Sequence, residues 1–161
     1  MAMLLLHAFT RHGSCPAHLA GMPITHWASV PSLRGRQGVH PLHRIVSGWA
    51  EGSEAPLTAV ERPAAPRAVS AAHFISGVRL PPESHVLLVD DTWVQGGHAQ
   101  SAALTLRAAG AAQISTLVVA RWIKPGFGKN AAFLRALPDY DPTLCPWTGT
   151  HCPSGDGHAG P

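Results

Sequence analysis

Short aliphatic runs alternate along this chain with amphipathic segments, and glycines and prolines separate them. Val86–Val89 is continuous, aliphatic and half β-branched, which is typical of a strand buried on both faces of a sheet. Ile114–Ala120 has the same character, and Ala99–Ala109 carries small and apolar residues at helical spacing. Because Gly110 is placed to end that helix, residues 86–121 are predicted to form a β-α-β unit with parallel strands.

The segments around this unit predict further elements of an α/β domain. Strands are expected at Ile24–Val30, Leu57–Glu61 and Phe74–Leu80, and helices at Met3–Arg11, Pro41–Trp49 and Phe127–Leu137. The strand at Phe74–Leu80 is expected at an edge of the sheet, because two prolines follow it. We therefore expect a three-layer α/β/α fold with a mostly parallel central sheet.

Composition favours one domain followed by a tail. The chain has 161 residues, 45% of them hydrophobic, which is enough for a sizeable core. Residues 1–137 are expected to form the domain, with its core at 24–121, and the Pro/Gly-rich residues 138–161 a poorly ordered tail. The first helix begins without a capping residue, so we expect that the chain starts inside a longer ancestral domain.

Charge and cysteine content indicate which partners and which cellular compartment the sequence favours. The net charge of +3 is spread along the chain without a basic tract interleaved with aromatics, so nucleic-acid binding has little support. No segment approaches the roughly 20 apolar residues of a membrane span. Three cysteines without a dense framework favour a reducing cytoplasm. The sequence leaves the oligomeric state open, with a homodimer as one arrangement.

The C-terminal segment CPWTGTHCPSGDGH holds four side chains of a kind that ligates zinc, namely Cys145, His151, Cys152 and His158. Its Cys-x6-Cys spacing is looser than in common zinc motifs, and the adjacent His151 and Cys152 would strain a shared tetrahedron. A tail without metal is the favoured interpretation, and no protein ligand to a metal is assigned.

The strongest chemical signal follows the central strand. Asp90 and Asp91 come directly after Val89, and Gly96 and Gly97 precede the predicted helix. In open α/β sheets, ligands bind beyond the carboxyl ends of the strands. Glycine lets the backbone approach a ligand, and the N–H groups of a helix start favour an anion. The segment therefore predicts a sugar-phosphate site, although two aspartates alone are equally typical of a strand-end turn or a helix cap.

The loop after the first strand, PSLRGRQGVHP, is a second candidate for anion binding. Arg34 and Arg36 flank Gly35, and guanidinium groups beside open glycine backbone suit phosphate or pyrophosphate. For this loop alone a solvated connection is favoured, because short motifs occur often by chance.

The segment VLLVDDTWVQGGHAQSAALTLRAAGA resembles the binding signature of type I phosphoribosyltransferases, in which four apolar residues precede two acidic residues and a Thr/Gly-rich loop. WASVPSLRGRQGVHPL and LTAVER add a weaker likeness to the ComF-like and amidophosphoribosyltransferase-like group. Together these segments cover about Ile24 to Arg121. The resemblance implies the type I fold, with an N-terminal hood that is short or missing in this chain.

The resemblance also implies roles for three sets of residues. Asp90 and Asp91, the catalytic candidates, would hold the ribose hydroxyls of phosphoribosyl pyrophosphate. Around the 5-phosphate and ribose would lie Thr92, Val94, Gln95, Gly96, Gly97 and His98. Near the pyrophosphate would lie Ser32, Arg34, Gly35 and Arg36. Magnesium, bound together with the substrate, would bridge the diphosphate.

The phosphate loop departs from the family pattern. The family loop usually reads Thr-Thr-Gly-x-Thr, whereas this chain has Val94-Gln95-Gly96-Gly97-His98. Three hydroxyl donors are absent, and at roughly 1.5–3 kcal/mol for each bond to a charged group their loss would weaken binding by several orders of magnitude. The backbone N–H groups of residues 95–98 can still bind an anion.

Two functions therefore stay open. The first is a magnesium-dependent transferase that moves a phosphoribosyl group onto an unknown nitrogen nucleophile and releases pyrophosphate. The second is a non-catalytic module with this fold that binds a ribose phosphate or nucleotide in a regulatory or accessory role. A gene fragment that does not fold alone is a third alternative.

Overall fold

The computed structural model describes residues 1–33, 38–61, 65 and 68–153. Its strands are β1 (His26–Ser29), β2 (Ser53–Glu54), β3 (Leu57–Ala59), β4 (Phe74–Ser76), β5 (His85–Trp93) and β6 (Gln113–Arg121). Its helices are α1 (Ala2–His12), α2 (Cys15–Ala20), α3 (Pro41–Val46), α4 (Gly97–Ala109) and α5 (Asn130–Ala136), and Ala71–His73 form a 3-10 turn.

A parallel sheet lies at the centre of the described residues. Its strand order is β2-β1-β5-β6, and β3 and β4 pair antiparallel in a separate hairpin. His26 of β1 lies opposite Val86 of β5, and His85 lies opposite Gln113 of β6. β5 therefore has a neighbouring strand along each edge. A central strand of a parallel sheet is also buried on both faces, which explains why the first half of β5 is a continuous aliphatic run.

Helices cover both faces of this sheet, because alternate residues of a strand point to opposite faces. One face of β5 packs against α4 and the β3–β4 hairpin, in a core cluster that includes Phe74, Val86, Leu88, Ala102 and Leu106. The other face packs against α1 and α3, in a cluster that includes Leu5, Leu42, Val46, Leu87 and Val89. The predicted three-layer α/β/α architecture with a mostly parallel central sheet is confirmed.

The central strand is longer than its sequence pattern predicts. It was expected to end at Val89, yet its pairing with β6 continues through Asp90 opposite Val118 and Trp93 opposite Arg121. Both aspartates therefore lie within a strand, and the strand-end turn and helix-cap interpretations are wrong.

The hairpin is a second departure. Leu57–Glu61 and Phe74–Leu80 do contain strands, but β3 and β4 pair with each other rather than joining the central sheet. The edges of the central sheet are instead β6 and β2, a two-residue strand that was not predicted.

The described part of the C-terminal segment contacts the N-terminal helix. The ring nitrogen Nε2 of His7 lies 3.0 Å from the carbonyl oxygen of Pro142. Trp147 packs against the core cluster formed with α1 and α3, and Cys145 is 1% exposed. Residues 154–161 of the predicted tail lie outside the described residues, and the domain boundary at residue 137 stays a prediction. In the described ranges, no helix is both long enough and apolar enough to cross a membrane.

Candidate ligand site at the carboxyl edge of the sheet

The parallel strands bring several polar side chains to one edge of the sheet. Ser29 ends β1, Glu54 ends β2, and Asp90 and Asp91 lie in the second half of β5. His43 of α3 links the first two, since its Nδ1 lies 3.2 Å from the Ser29 hydroxyl and 3.7 Å from a Glu54 carboxylate oxygen. Carboxyl ends of parallel strands are where ligands of open α/β sheets bind.

Asp90 is the buried member of the acidic pair. It is 7% exposed, and strand alternation directs it to the face that carries α4. Burial and, to a smaller extent, the charge of Asp91 raise the pKa of Asp90 to about 6, although the backbone N–H groups of Asp91 and Thr92 donate to the carboxylate and oppose the shift. At neutral pH the carboxylate is mostly ionised, and it gains a proton under mildly acidic conditions.

Asp91 points to the opposite face, toward the start of α3. Its side chain is 42% exposed, and one carboxylate oxygen lies 3.8 Å from Nε2 of His40. His40 caps α3, because its Nδ1 accepts a hydrogen bond from the Leu42 N–H at 3.2 Å. In a neutral imidazole whose Nδ1 accepts, the proton is on Nε2, which is the nitrogen nearer to Asp91.

The acidic pair is thus divided between two faces of one strand. Asp90 lies on the side of the glycine loop and α4, and Asp91 lies on the side of His40 and α3. A ligand that contacts both carboxylates has to reach across the edge of the sheet. The predicted roles of both residues in holding a ribose stay predictions.

The loop between β5 and α4 combines exposed side chains with one buried glycine. Four of the predicted phosphate-loop side chains are exposed, namely those of Thr92, Val94, Gln95 and His98. Gly96 is buried, has a φ of +78°, and caps α4 without a side-chain hydrogen bond. The first turn of α4 begins at Gly97, so its amide groups follow this glycine directly.

Trp93, the last residue of β5, contacts this loop, and sequence reasoning missed it. A Cβ atom built on Gly96 would lie 2.2 Å from Cζ2 of Trp93, so the indole packs directly on the glycine backbone. The indole therefore occupies the space beside the loop, and only glycine fits at position 96. The sequence contains no signal for this contact beyond the glycine itself.

The buried side chain of Ser101 links residues 70–73 to the start of α4 through hydrogen bonds. The hydroxyl of Ser101, fully buried, donates to the carbonyl of Gly97 at 2.6 Å and accepts the Ser70 N–H at 2.9 Å. It also lies 3.3 Å from Nδ1 of His73. Thr105 donates to the carbonyl of Ala71 at 3.0 Å. The 3-10 turn is thereby held against α4, which the sequence did not predict.

The predicted pyrophosphate loop begins beside the acidic pair. The N–H of Val30 donates to the carbonyl of Val89 at 2.9 Å, so the chain leaves β1 next to the residues that precede Asp90. Ser32 follows and is half-buried. Arg34, Gly35 and Arg36 lie outside the described residues, and their predicted contact with pyrophosphate stays a prediction.

Carboxylates at this edge are the groups that could hold the expected magnesium. Among the described residues, no group of three or more potential metal ligands converges here. Mg²⁺ commonly binds through one or two carboxylates together with substrate phosphates and water. Asp91, whose carboxylate is partly exposed, fits that pattern for an ion that arrives with a diphosphate.

Comparison with known proteins adds little to this description. Neither a protein-family model nor a curated protein sequence matches the chain. The chain is similar to a solved structure described as the crystal structure of adenine phosphoribosyltransferase, with 16% identity, a TM-score of 0.49, and coverage of 79% of this chain and 72% of that chain. A likeness this distant assigns neither an activity nor a ligand to the present chain.

Proposed function

We propose that this chain binds phosphoribosyl pyrophosphate with Mg²⁺ and transfers the phosphoribosyl group to a nitrogen nucleophile, releasing pyrophosphate. The observation that carries the proposal is the position of Asp90 and Asp91 on the central strand, directly before a glycine loop and the start of α4. This order of parts is the one implied by the sequence resemblance to type I phosphoribosyltransferases.

In this proposal the two carboxylates hold the ribose. Ionised Asp90 and Asp91 accept hydrogen bonds from the two ring hydroxyls, one from each side of the sheet edge. The burial that raises the pKa of Asp90 to about 6 leaves it ionised at neutral pH, and a hydroxyl donor replaces part of the hydration that burial removes. Both residues act by positioning rather than by proton transfer.

The 5-phosphate is proposed to bind at the first turn of α4. Amide groups at a helix start carry unsatisfied donors and the positive end of the helix dipole. The Ser101 hydroxyl donates a hydrogen bond to the Gly97 carbonyl, and this bond fixes the direction of that turn. Because Val94, Gln95 and His98 stand where hydroxyls would be expected, binding here depends mainly on the backbone.

The reaction would displace pyrophosphate at the anomeric carbon. The bond from that carbon to the diphosphate oxygen breaks and its electron pair leaves with pyrophosphate. The nitrogen lone pair forms the new bond, and the nitrogen releases its surplus proton to solvent. Bound magnesium would neutralise charge on the leaving diphosphate, with Asp91 as its ligand from the chain. The chain's own contribution is to hold ribose, phosphate and nucleophile in line, with Ser32 and the predicted Arg34–Arg36 segment at the pyrophosphate.

A non-catalytic module that binds a ribose phosphate or nucleotide is the second candidate. The observation that favours it is the Trp93 indole on Gly96, which fills space beside a loop that already lacks three hydroxyls. In this alternative the fold and the acidic pair are kept for recognition alone. A cytoplasmic location and a homodimer are proposals under both functions.

Calorimetric titration with Mg²⁺ and phosphoribosyl pyrophosphate tests the site. We expect binding by the unmodified chain and its loss in the double variant Asp90→Asn, Asp91→Asn. Glu83→Gln is the matched control, because Glu83 is an exposed carboxylate just before the opposite end of β5. Threonines at positions 94, 95 and 98 should tighten binding by restoring hydroxyl donors. If no heat of binding is measured at millimolar phosphoribosyl pyrophosphate, the proposed ligand site is contradicted.

Release of pyrophosphate separates the two candidates. A chain that binds the ligand and forms pyrophosphate with ammonia, amines or purine bases is a transferase. Binding without turnover by any of these nucleophiles, and equal binding of a plain ribose 5-phosphate, would support the recognition module.

A further inference from the structure

Four potential metal ligands converge where the two ends of the described chain meet. The ligand atoms of His12, Cys15, Cys145 and Cys152 all lie within 4.8 Å of one another. Nδ1 of His12 is 3.3 Å from Sγ of Cys152. The first three residues are buried, Cys152 is half-buried, and all three cysteines are free thiols.

These separations fit a tetrahedral zinc site. With Zn–S distances of about 2.3 Å and Zn–N distances of about 2.0–2.1 Å, ligand atoms lie roughly 3.5–3.8 Å apart. The observed separations bracket this range, so shifts of less than about 1 Å would complete the tetrahedron. Three sulfurs and one imidazole are a donor set found in structural zinc sites, and they leave no position open for water or substrate.

The chain around Cys145 is shaped to present its sulfur. The Cys145 N–H donates to the Thr150 carbonyl and the Gly149 N–H donates to the Cys145 carbonyl, both at 2.8 Å, and Gly149 has a φ of +74°. This tight turn lets the N–H groups of Trp147 and Thr148 donate to the sulfur of Cys145.

We propose that the chain holds one structural Zn²⁺ between His12, Cys15, Cys145 and Cys152. The ion would join the connection between α1 and α2 to the C-terminal segment. The site is independent of the proposed function, because none of its four ligands belongs to the carboxyl edge of the sheet.

The proposed ligands differ from those that the sequence suggested. Cys145 and Cys152 are shared, but His12 and Cys15 take the places considered for His151 and His158. His151 is exposed, and its carbonyl accepts a bond from the Thr148 hydroxyl at 2.8 Å. His158 lies outside the described residues. Only Cys152 of the adjacent His-Cys pair is used, which avoids the strain expected from using both.

Metal analysis of the full chain, purified under reducing conditions and without a histidine tag, tests the proposal. We expect about one zinc per chain by inductively coupled plasma mass spectrometry. The X-ray absorption spectrum of the zinc should show three sulfur neighbours and one nitrogen neighbour. Cobalt taken up in place of zinc should give the visible absorption of a tetrahedral thiolate site. His12→Ala should lower the zinc content by roughly tenfold or more, whereas the matched control His151→Ala should leave it unchanged.

Several results would overturn the proposal. One is an unmodified chain that purifies without metal and takes up neither zinc nor cobalt. Others are bound iron, or a disulfide revealed by the mass of the unreduced chain. An equal loss of zinc in His151→Ala and His12→Ala would also exclude this ligand set. If His12→Ala does not fold, the absorption spectrum of the unmodified chain decides the ligands alone.

Discussion

Replacement of Asp90 by asparagine should remove the part of the pH dependence of stability between pH 4 and pH 7 that this carboxyl contributes. The folded chain holds a proton on Asp90 up to about pH 6, because burial raises the pKa of this carboxyl from 3.8. The unfolded chain loses that proton near its ordinary pKa. Folding therefore takes up a proton in this interval, and the free energy of unfolding falls as the pH rises.

The size of the effect follows from the pKa difference. The stabilising contribution is fully present below pH 3.8 and is lost as the pH rises through about 6. At 1.36 kcal/mol for each pH unit, an interval of about two units corresponds to a loss of about 3 kcal/mol. For a chain of this size that loss lowers the melting temperature by about 6–12 °C.

Urea unfolding followed by circular dichroism at a series of pH values measures this slope. Asparagine does not titrate, so the Asp90→Asn variant should lack this fall whatever its absolute stability. Asp91→Asn is the matched control, because it removes a neighbouring charge but leaves the burial of Asp90, which is the larger cause of the shift. The reasoning is refuted if unmodified chain and Asp90→Asn have parallel pH profiles.

Two further substitutions test how the loop and α4 are held. Gly96→Ala should destabilise the chain by about 1–2 kcal/mol because of the positive φ at this position, with an added cost for displacing the Trp93 indole. The control Gly38→Ala, at a φ of +81° with no atom within 4 Å, should show the first cost alone. Equal melting temperatures of the two variants would exclude the packing contribution. Ser101→Ala should cost about 1–3 kcal/mol, because it removes the acceptor of the Ser70 N–H, and it should speed amide exchange at Ser70 and Ala72; unchanged exchange at these amides would show that the 3-10 turn is held by other contacts.

The β-α-β unit could be predicted from sequence because its parts follow one another along the chain. Aliphatic runs, helical spacing and a terminating glycine are local signals, and β5, α4 and β6 lie close to their predicted positions. The end of β5 could not be predicted in this way. Aspartate is disfavoured in strands, so Asp90 and Asp91 suggested a turn, but pairing with β6 overrides that preference.

Contacts between distant segments were beyond local patterns. No spacing rule connects Ser101 with Ser70, since this contact depends on how the chain packs. The metal ligands show the same limit more strongly. The proposed zinc ligands form two local pairs, His12 with Cys15 and Cys145 with Cys152, but no local pattern shows that the two pairs meet, since His12 and Cys152 are 140 residues apart.

The contacts between α1 and the C-terminal segment also affect the order in which the chain folds. The contacts of His7 with Pro142 and of His12 with Cys152 span 135 and 140 residues, so each closes a loop that contains most of the chain. The entropy of closing a loop grows slowly with its length, but such contacts form only after the intervening chain is organised. During synthesis, α1 emerges before the α/β core and the segment around Cys145 emerges after it. The N-terminal helix thus acquires its final partner only when translation has passed the whole α/β core.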